Sequence, residues 1–280
     1  MEMIDKIVFN ECRKTFMEQM KVHKRETAFA AILAYYLKPL EDHGLNDLFL
    51  KALLKKIDLD TDYNANKVNI QLEKSTKKGN RIDILISTEK FVLCIEFKID
   101  HKLNNDLYDY VDFVNKEFND SIVKKFILLT PNRKPFIGKA IGNTDFQEII
   151  LSHYFQEIQN EFKKEEDSYK DNPKLQFYND LVQTVNNRKI RSQRYNTLKE
   201  IEHKLNRTAL SSKFHKNING GFIEIEENEK IFKFRIKDNG WLFEKCKADK
   251  KIDCQIPFEL SNEITIDEIV IEIKRLIKLD

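Results

Sequence analysis

Several features that would place a chain at a glance are missing here. Four cysteines in 280 residues, Cys12, Cys94, Cys246 and Cys254, form no Cys-x-x-Cys pair and stand at no zinc spacing to the six histidines. A disulfide framework or a zinc module is therefore not expected, and Cys94 reads as a small core residue. No run of about 18 apolar residues occurs, so no membrane-spanning helix is expected. The opening MEMIDKIVFNECRK has no apolar secretory segment, and cytoplasmic, reducing surroundings are the expectation. An excess of one charge is missing too: 48 Lys+Arg against 46 Asp+Glu leave +2, so any surface for a polyanion has to be local. Internal repeats and low-complexity segments are absent.

What is present is core material. Apolar residues make up 41% of the chain and include 20 Phe and 9 Tyr, beside 34% charged residues; this is a globular composition and not a disordered one. The length suits one large domain or a core with an appendage.

The stretch GNRIDILISTEKFVLCIEFKID, Gly79 to Asp100, has two apolar runs, Ile82–Ile86 and Phe91–Ile99, joined by Ser87-Thr88-Glu89-Lys90. That is a β-hairpin pattern, yet Asp83, Glu96 and Lys98 interrupt the apolar runs, and buried charges are costly unless paired or bound to a metal. An even loop centred between Glu89 and Lys90 pairs residues whose numbers sum to 179 and sets Asp83 opposite Glu96, with Lys98 on the same face by alternation. A three-residue loop would send the two carboxylates to opposite faces, and no Asn-Gly decides the matter. Two facing carboxylates repel unless a cation separates them, and an oxygen-only cluster suits Mg²⁺ or Mn²⁺ above Zn²⁺. A buried acid–lysine salt bridge, or a polar face turned to solvent, is the structural alternative.

Around the hairpin, Asn10 to Ile57 has helical spacing broken at Pro39 and His43-Gly44, predicting two helices, with Glu26 as a first-turn acid. Val68–Leu72 predicts a strand, and KSTKKGNR (74–81) a polar loop with four basic residues that could contact phosphate. Leu103 to Phe118 predicts a helix and Phe126–Thr130 a strand, hence a mixed sheet. Phe146–Phe162 and Pro173–Val185 predict further helices. The basic stretch Asn186–Arg194 reads as a nucleic-acid track, an exposed helix face or a linker. From Gly220, alternation predicts three antiparallel strands, followed by an amphipathic helix at Ile266–Leu279. The expected organisation is an α/β core at 1–190 and a small β-meander and helix, an α+β appendage, at 191–280.

Asp83 with Glu96-Phe97-Lys98 resembles the signature of the PD-(D/E)XK nuclease superfamily, an Asp on one strand and (Asp/Glu)-x-Lys on the next. The segment ETAFAAILAYYLKPLEDHGLNDLFLKALL is similar to the N-terminal helical region of one bacterial branch, with Glu26, His43, Gly44, Phe49 and Leu50 in place. The branch's Gln-Leu-x-x-Tyr element reads Asp106-Leu107-Tyr108-Asp109-Tyr110, keeping Tyr110 and replacing Gln by Asp106; the Pro before the Asp is replaced by Ile82. The resemblance spans roughly residues 10 to 135. It implies a restriction-endonuclease-like fold and a Mg²⁺- or Mn²⁺-dependent nuclease, with DNA favoured over RNA and a place in phage defence or DNA processing. It also implies Asp83, Glu96 and the Phe97 carbonyl as metal ligands, Lys98 beside the attacking water, and Glu26 holding a water or second metal. Asp106 and Tyr110 would support Lys98 or touch substrate, and His43 would be a turn residue open to a phosphate contact. A catalytically silent or partner-activated nucleic-acid-binding module, and a homodimer or regulatory partner, are the alternatives it leaves.

Overall fold

The computed structural model describes residues 13–59, 62–99, 106–131, 146–164, 169, 171–207, 210–217, 221–237, 240–247, 252–256 and 265–279. Expectations placed on Asn10, Cys12, Leu103 and Gly220 lie outside the described residues. The chain divides into two compact units, Lys14–Val185 and one formed mainly from Asn186 onward.

In the first unit, α1 (Phe16–Gln19), α2 (Glu26–Leu37) and α3 (Leu48–Lys56) precede the strands β1 (Asn69–Ser75), β2 (Arg81–Ser87) and β3 (Phe91–Phe97). Helix α4 (Leu107–Glu117) leads into β4 (Val123–Thr130), then β5 (Phe146–Ile150), α5 (Leu151–Lys164) and α6 (Leu175–Asn206), whose residues from Asn186 on belong to the second unit. The sheet order is β1-β2-β3-β4-β5; the first three strands are antiparallel neighbours, and β4 and β5 add in parallel. Alternation along β3 sends Leu93, Ile95 and Phe97 into a core shared with α2 and α3, and Val92 and Cys94 into a second core closed by Leu107, Tyr110 and Val114 of α4. With helices on both faces, β3 is buried along its whole length.

The hairpin register is the even one. Ile84 faces Ile95, Leu85 faces Cys94, Ile86 faces Leu93 and Ser87 faces Val92, each pair summing to 179. The turn needs no glycine because Thr88 supplies a side-chain substitute: its Oγ1 accepts from Lys90 N–H at 3.1 Å and Phe91 N–H at 3.0 Å. Thr88 N–H meanwhile donates to the Phe91 carbonyl at 2.9 Å. A Ser or Thr hydroxyl can replace a backbone acceptor in this way.

One predicted helix is corrected. Phe146–Phe162 begins as strand β5, and only Leu151–Lys164 is helical. Phe146, Ile149 and Ile150 have helical spacing, but the open edge of β4 offers a parallel ladder running from Phe126↔Phe146 to Thr130↔Ile150. Among its described residues the second unit has five antiparallel strands where three are predicted: β6 (Ser211–His215), β7 (Phe222–Glu227), β8 (Lys230–Lys237), β9 (Gly240–Cys246) and β10 (Ile252–Ile256), with α7 (Ile266–Leu279). Its core joins Ile223, Phe232, Phe234 and Phe243 to Ile269 and Ile273. The basic stretch Asn186–Arg194 lies within α6, with Arg194 buried.

The turn chemistry predicts that Thr88→Val, which leaves the Lys90 and Phe91 N–H groups without that acceptor, destabilises the protein by about 1–3 kcal/mol, whereas Thr88→Ser is close to neutral. Denaturant unfolding of the two variants checks this, and equal midpoints would remove the hydroxyl from the account.

Candidate active site

The candidate site forms where β3 leaves the sheet. Carried one step past Ile84↔Ile95, the register sets Asp83 of β2 opposite Glu96 of β3. Leu85 and Cys94, a facing pair further inside, belong to the core covered by α4, and the Asp83 carboxylate is close enough to Glu96 to repel its charge. The paired ladder stops here, and the carboxylate of Asp83 takes over as acceptor: Phe97 N–H donates to its Oδ2 at 2.7 Å. Lys98 N–H donates to the Leu129 carbonyl at 3.0 Å, which keeps the lysine backbone tied to β4.

The Lys98 ammonium lies 2.7 Å from Glu96 Oε1 and 3.3 Å from Glu26 Oε2. The other oxygen of Glu26 accepts from Ile99 N–H at 2.8 Å. Glu26 opens α2, where a first-turn acid also suits the helix dipole. It thereby ties α2 to the exit from β3. Asp83, Glu96 and Lys98, expected on one face, and Glu26, which the resemblance adds to them, form one interacting group.

Burial dominates the electrostatics. It pushes the Glu96 carboxyl up to about 8, aided by the neighbouring Asp83 and Glu26 and opposed by Lys98. Asp83 is pushed up to about 6, chiefly by burial, against the Phe97 N–H and Lys98, with Glu73 and Glu26 adding repulsion. For Lys98, burial favours the neutral amine, but Glu96, Glu26 and Asp83 together outweigh it and hold the pKa above the ordinary lysine value. Three carboxylates and one ammonium carry a formal −2 when all are ionised, and that excess is what a divalent cation would relieve.

The remaining named residues have other places. Tyr110 is buried, and its hydroxyl donates to the Arg81 carbonyl at 2.5 Å, bracing the start of β2. Asp106 precedes α4 as its N-cap without a side-chain capping bond, and its carboxylate is 3.9 Å from Lys78. The Phe97 ring packs against Phe29 at 5.9 Å, so only its backbone can serve a ligand. His43 is fully buried; its Nδ1 accepts from Leu45 N–H at 3.0 Å, which leaves Nε2–H to donate to the Lys38 carbonyl at 3.0 Å. With both ring nitrogens engaged, it locks the α2–α3 connection and is not brought to the carboxylates. Phe49 and Leu50 are core residues.

Glu73 escaped the sequence reading. It falls between the pairs Leu72↔Ile84 and Lys74↔Ile82, opposite Asp83, and takes a left-handed φ of 51° within a strand. Its carboxylate binds Arg81 at 3.0 Å. The signal was available, since the β1–β2 pairs sum to 156, but it required knowing that loop's length.

The raised carboxyls set a sign for pH dependence. Between the ordinary carboxylate range and about pH 8, the folded state keeps protons that the unfolded chain releases, so unfolding stability without added metal falls as pH rises through that window. Melting temperatures from pH 4.5 to 8.5 in EDTA should therefore decline, and Glu96→Gln should flatten the profile. A parent profile that rises over this range would contradict the assignment.

Residues 15–206 match the family model of the PD-(D/E)XK nuclease superfamily. Comparison with curated proteins gives no match, and neither does comparison with solved structures. The matched stretch takes in the whole β1–β5 sheet with the helices that cover it, and the chain belongs to the PD-(D/E)XK nuclease superfamily.

Proposed function

We propose that the chain is a nuclease that hydrolyses phosphodiester bonds with a divalent cation, Mg²⁺ or Mn²⁺, and that it acts on DNA in preference to RNA. The observation that carries this reading is Lys98 held between Glu96 and Glu26, with Asp83 bonded to the Phe97 N–H one residue beyond the last β2–β3 pair. Such a group is the arrangement a superfamily member needs for phosphodiester chemistry.

The donor set fits a hard cation. Asp83 and Glu96 offer carboxylate oxygens, and the Phe97 carbonyl is the proposed third ligand. No cluster of three or more His, Cys, Asp or Glu side chains placed to hold a metal occurs among the described residues. Mg²⁺ keeps several waters and takes one or two carboxylates in place of an all-protein cage, so only Asp83, Glu96 and the Phe97 carbonyl are asked of the chain. When bound there, the cation supplies Lewis acidity toward the phosphate and acidifies a water.

The chain's own groups do the rest. Asp83, fixed by the Phe97 N–H, and Glu96, fixed by Lys98, present their oxygens without further reorganisation. Its carboxylate neighbours hold Lys98 charged in the metal-free site, where it is placed as a hydrogen-bond donor that would orient water and meet the charge growing on the phosphate. Glu26 positions the ammonium from the α2 side and shields it from swinging away. Among the described residues no helix is long and apolar enough to cross a membrane.

A silent or partner-activated module is the second reading, favoured by one observation: the 2.7 Å pair with Lys98 already compensates Glu96 without a cation. Titration calorimetry with Mg²⁺ and Mn²⁺ separates the two, since the silent module predicts no binding heat.

Cleavage of linear duplex, circular duplex and single-stranded DNA, and of RNA, with either metal is the direct test. Asp83→Asn, Glu96→Gln and Lys98→Met should each lower the rate by about 10²–10⁴-fold. Parent-like cleavage by Asp83→Asn and Lys98→Met would eliminate the mechanism.

A further inference from the structure

The turn between β1 and β2 concentrates positive charge. Lys74, Lys77, Lys78 and Arg81 fall within eight residues, and the side chains of Lys77, Lys78 and Arg81 are 78%, 59% and 64% exposed. Like charges this close push a turn open, yet this turn is closed. Thr76 N–H donates to the Asn80 carbonyl at 2.8 Å and Gly79 N–H to the Thr76 carbonyl at 3.1 Å, with Gly79 at φ +86°.

A buried carboxylate on α4 holds it. Asp109 Oδ2 accepts from the Thr76 hydroxyl at 2.5 Å and from the Asn80 amide at 2.7 Å, and its Oδ1 stands 3.9 Å from the Lys78 ammonium. Burial raises the carboxyl's pKa, but the Thr76 and Asn80 bonds with Lys78 outweigh it and keep the group ionised. Tyr110, the next residue, ties the other end of the turn through the Arg81 carbonyl. Burying a carboxylate in a helix merely to close a surface turn is expensive, which points to a role for the turn's shape.

Its position supplies that role. Arg81 begins β2 and Asp83 follows two residues later, about 7 Å along the strand. Because β2 runs antiparallel to β3, the turn stands over the sheet end that holds Glu96 and Lys98. The present partners of the tip lysines are loose, Lys77 to Glu117 at 3.6 Å and Lys78 to Asp106 at 3.9 Å. Exposed pairs of this kind are worth about 0–1 kcal/mol and yield readily to a phosphate.

We propose that the 76–80 turn is a contact for the phosphate backbone of a nucleic-acid strand entering the carboxylate site, made by Lys77 and Lys78, and that Asp109 is the positioning residue that sets its shape. The contact is with phosphate and reads no base. It deepens the nuclease reading and rests on it for the identity of the ligand.

The test is fluorescence anisotropy on the full chain in EDTA, with labelled DNA and RNA duplexes of one sequence, over a salt series. Lys77→Ala/Lys78→Ala should weaken binding and reduce the slope of log K against log salt by roughly 0.9 per lost contact, about 2 in all. Thr76→Val, which strips Asp109 of a donor, should lower affinity and slope in the same direction, and Thr76→Ser should restore both. A purely structural role would lower the melting temperature of Thr76→Val without moving the slope of the folded protein. The arm in which the slope falls identifies the strand; a slope unchanged in both arms for the double-alanine variant overturns the proposal. A parent that binds with the expected slope but never cleaves sinks the nuclease reading alone. A parent that cleaves while the double-alanine variant binds as well as it does sinks this inference alone.

Discussion

Pairing between β2 and β3 has a period of two, and a slip of one residue would turn Asp83 and Glu96 to opposite faces while moving Leu85 and Cys94 out of the α4-side core. The placement of the two carboxylates and the packing of the core therefore share one constraint. Thr88 enforces it at the turn with two accepted hydrogen bonds, and Asp83 marks its other end, where the side chain accepts the Phe97 N–H. Between these points every facing pair is apolar or small, so burial and register favour the same arrangement.

Charge at the open end is stabilised from both faces of the sheet. Glu26 arrives from α2 and reaches Lys98 and the Ile99 N–H. Tyr110 and Asp109 arrive from α4 and brace Arg81 and the 76–80 turn. Burying Glu96 and Lys98 is tolerable because each satisfies the other, and the cost that remains appears as raised carboxyl pKa values.

The second unit follows a different plan. One face of its sheet, with Ile223, Ile225, Phe232, Phe234 and Phe243, packs with Ile269 and Ile273. Across the strands, Lys213 faces Glu224, Glu224 faces Lys233, and Lys233 faces Glu244. Opposite charges on neighbouring strands stabilise the pairing, and Arg235 compensates the buried Glu244 at 2.6 Å. This unit contributes none of the groups gathered at Asp83.

Local chemistry by itself determined the hairpin, its two apolar runs and the family signature around Lys98, which were legible because strand alternation is a property of neighbouring residues. The parity of the loop, open between two lengths in the sequence, was decided by the folded register. Strand β5 was not legible, since Phe-Gln-Glu-Ile-Ile carries helical spacing and became a strand only because β4 presented an unpaired edge. The extra strands β6 and β10 likewise complete a sheet begun by stronger neighbours. Local pattern reads Glu26 as a first-turn acid and only the resemblance ties it to the site; its contact with Lys98 spans 72 residues. His43, read as a turn residue open to a phosphate contact, is buried with both ring nitrogens bonded to the α2–α3 connection. Periodicity along the chain thus decided which residues line up, and long-range burial, which no local pattern encodes, decided which of those residues meet at the carboxylates.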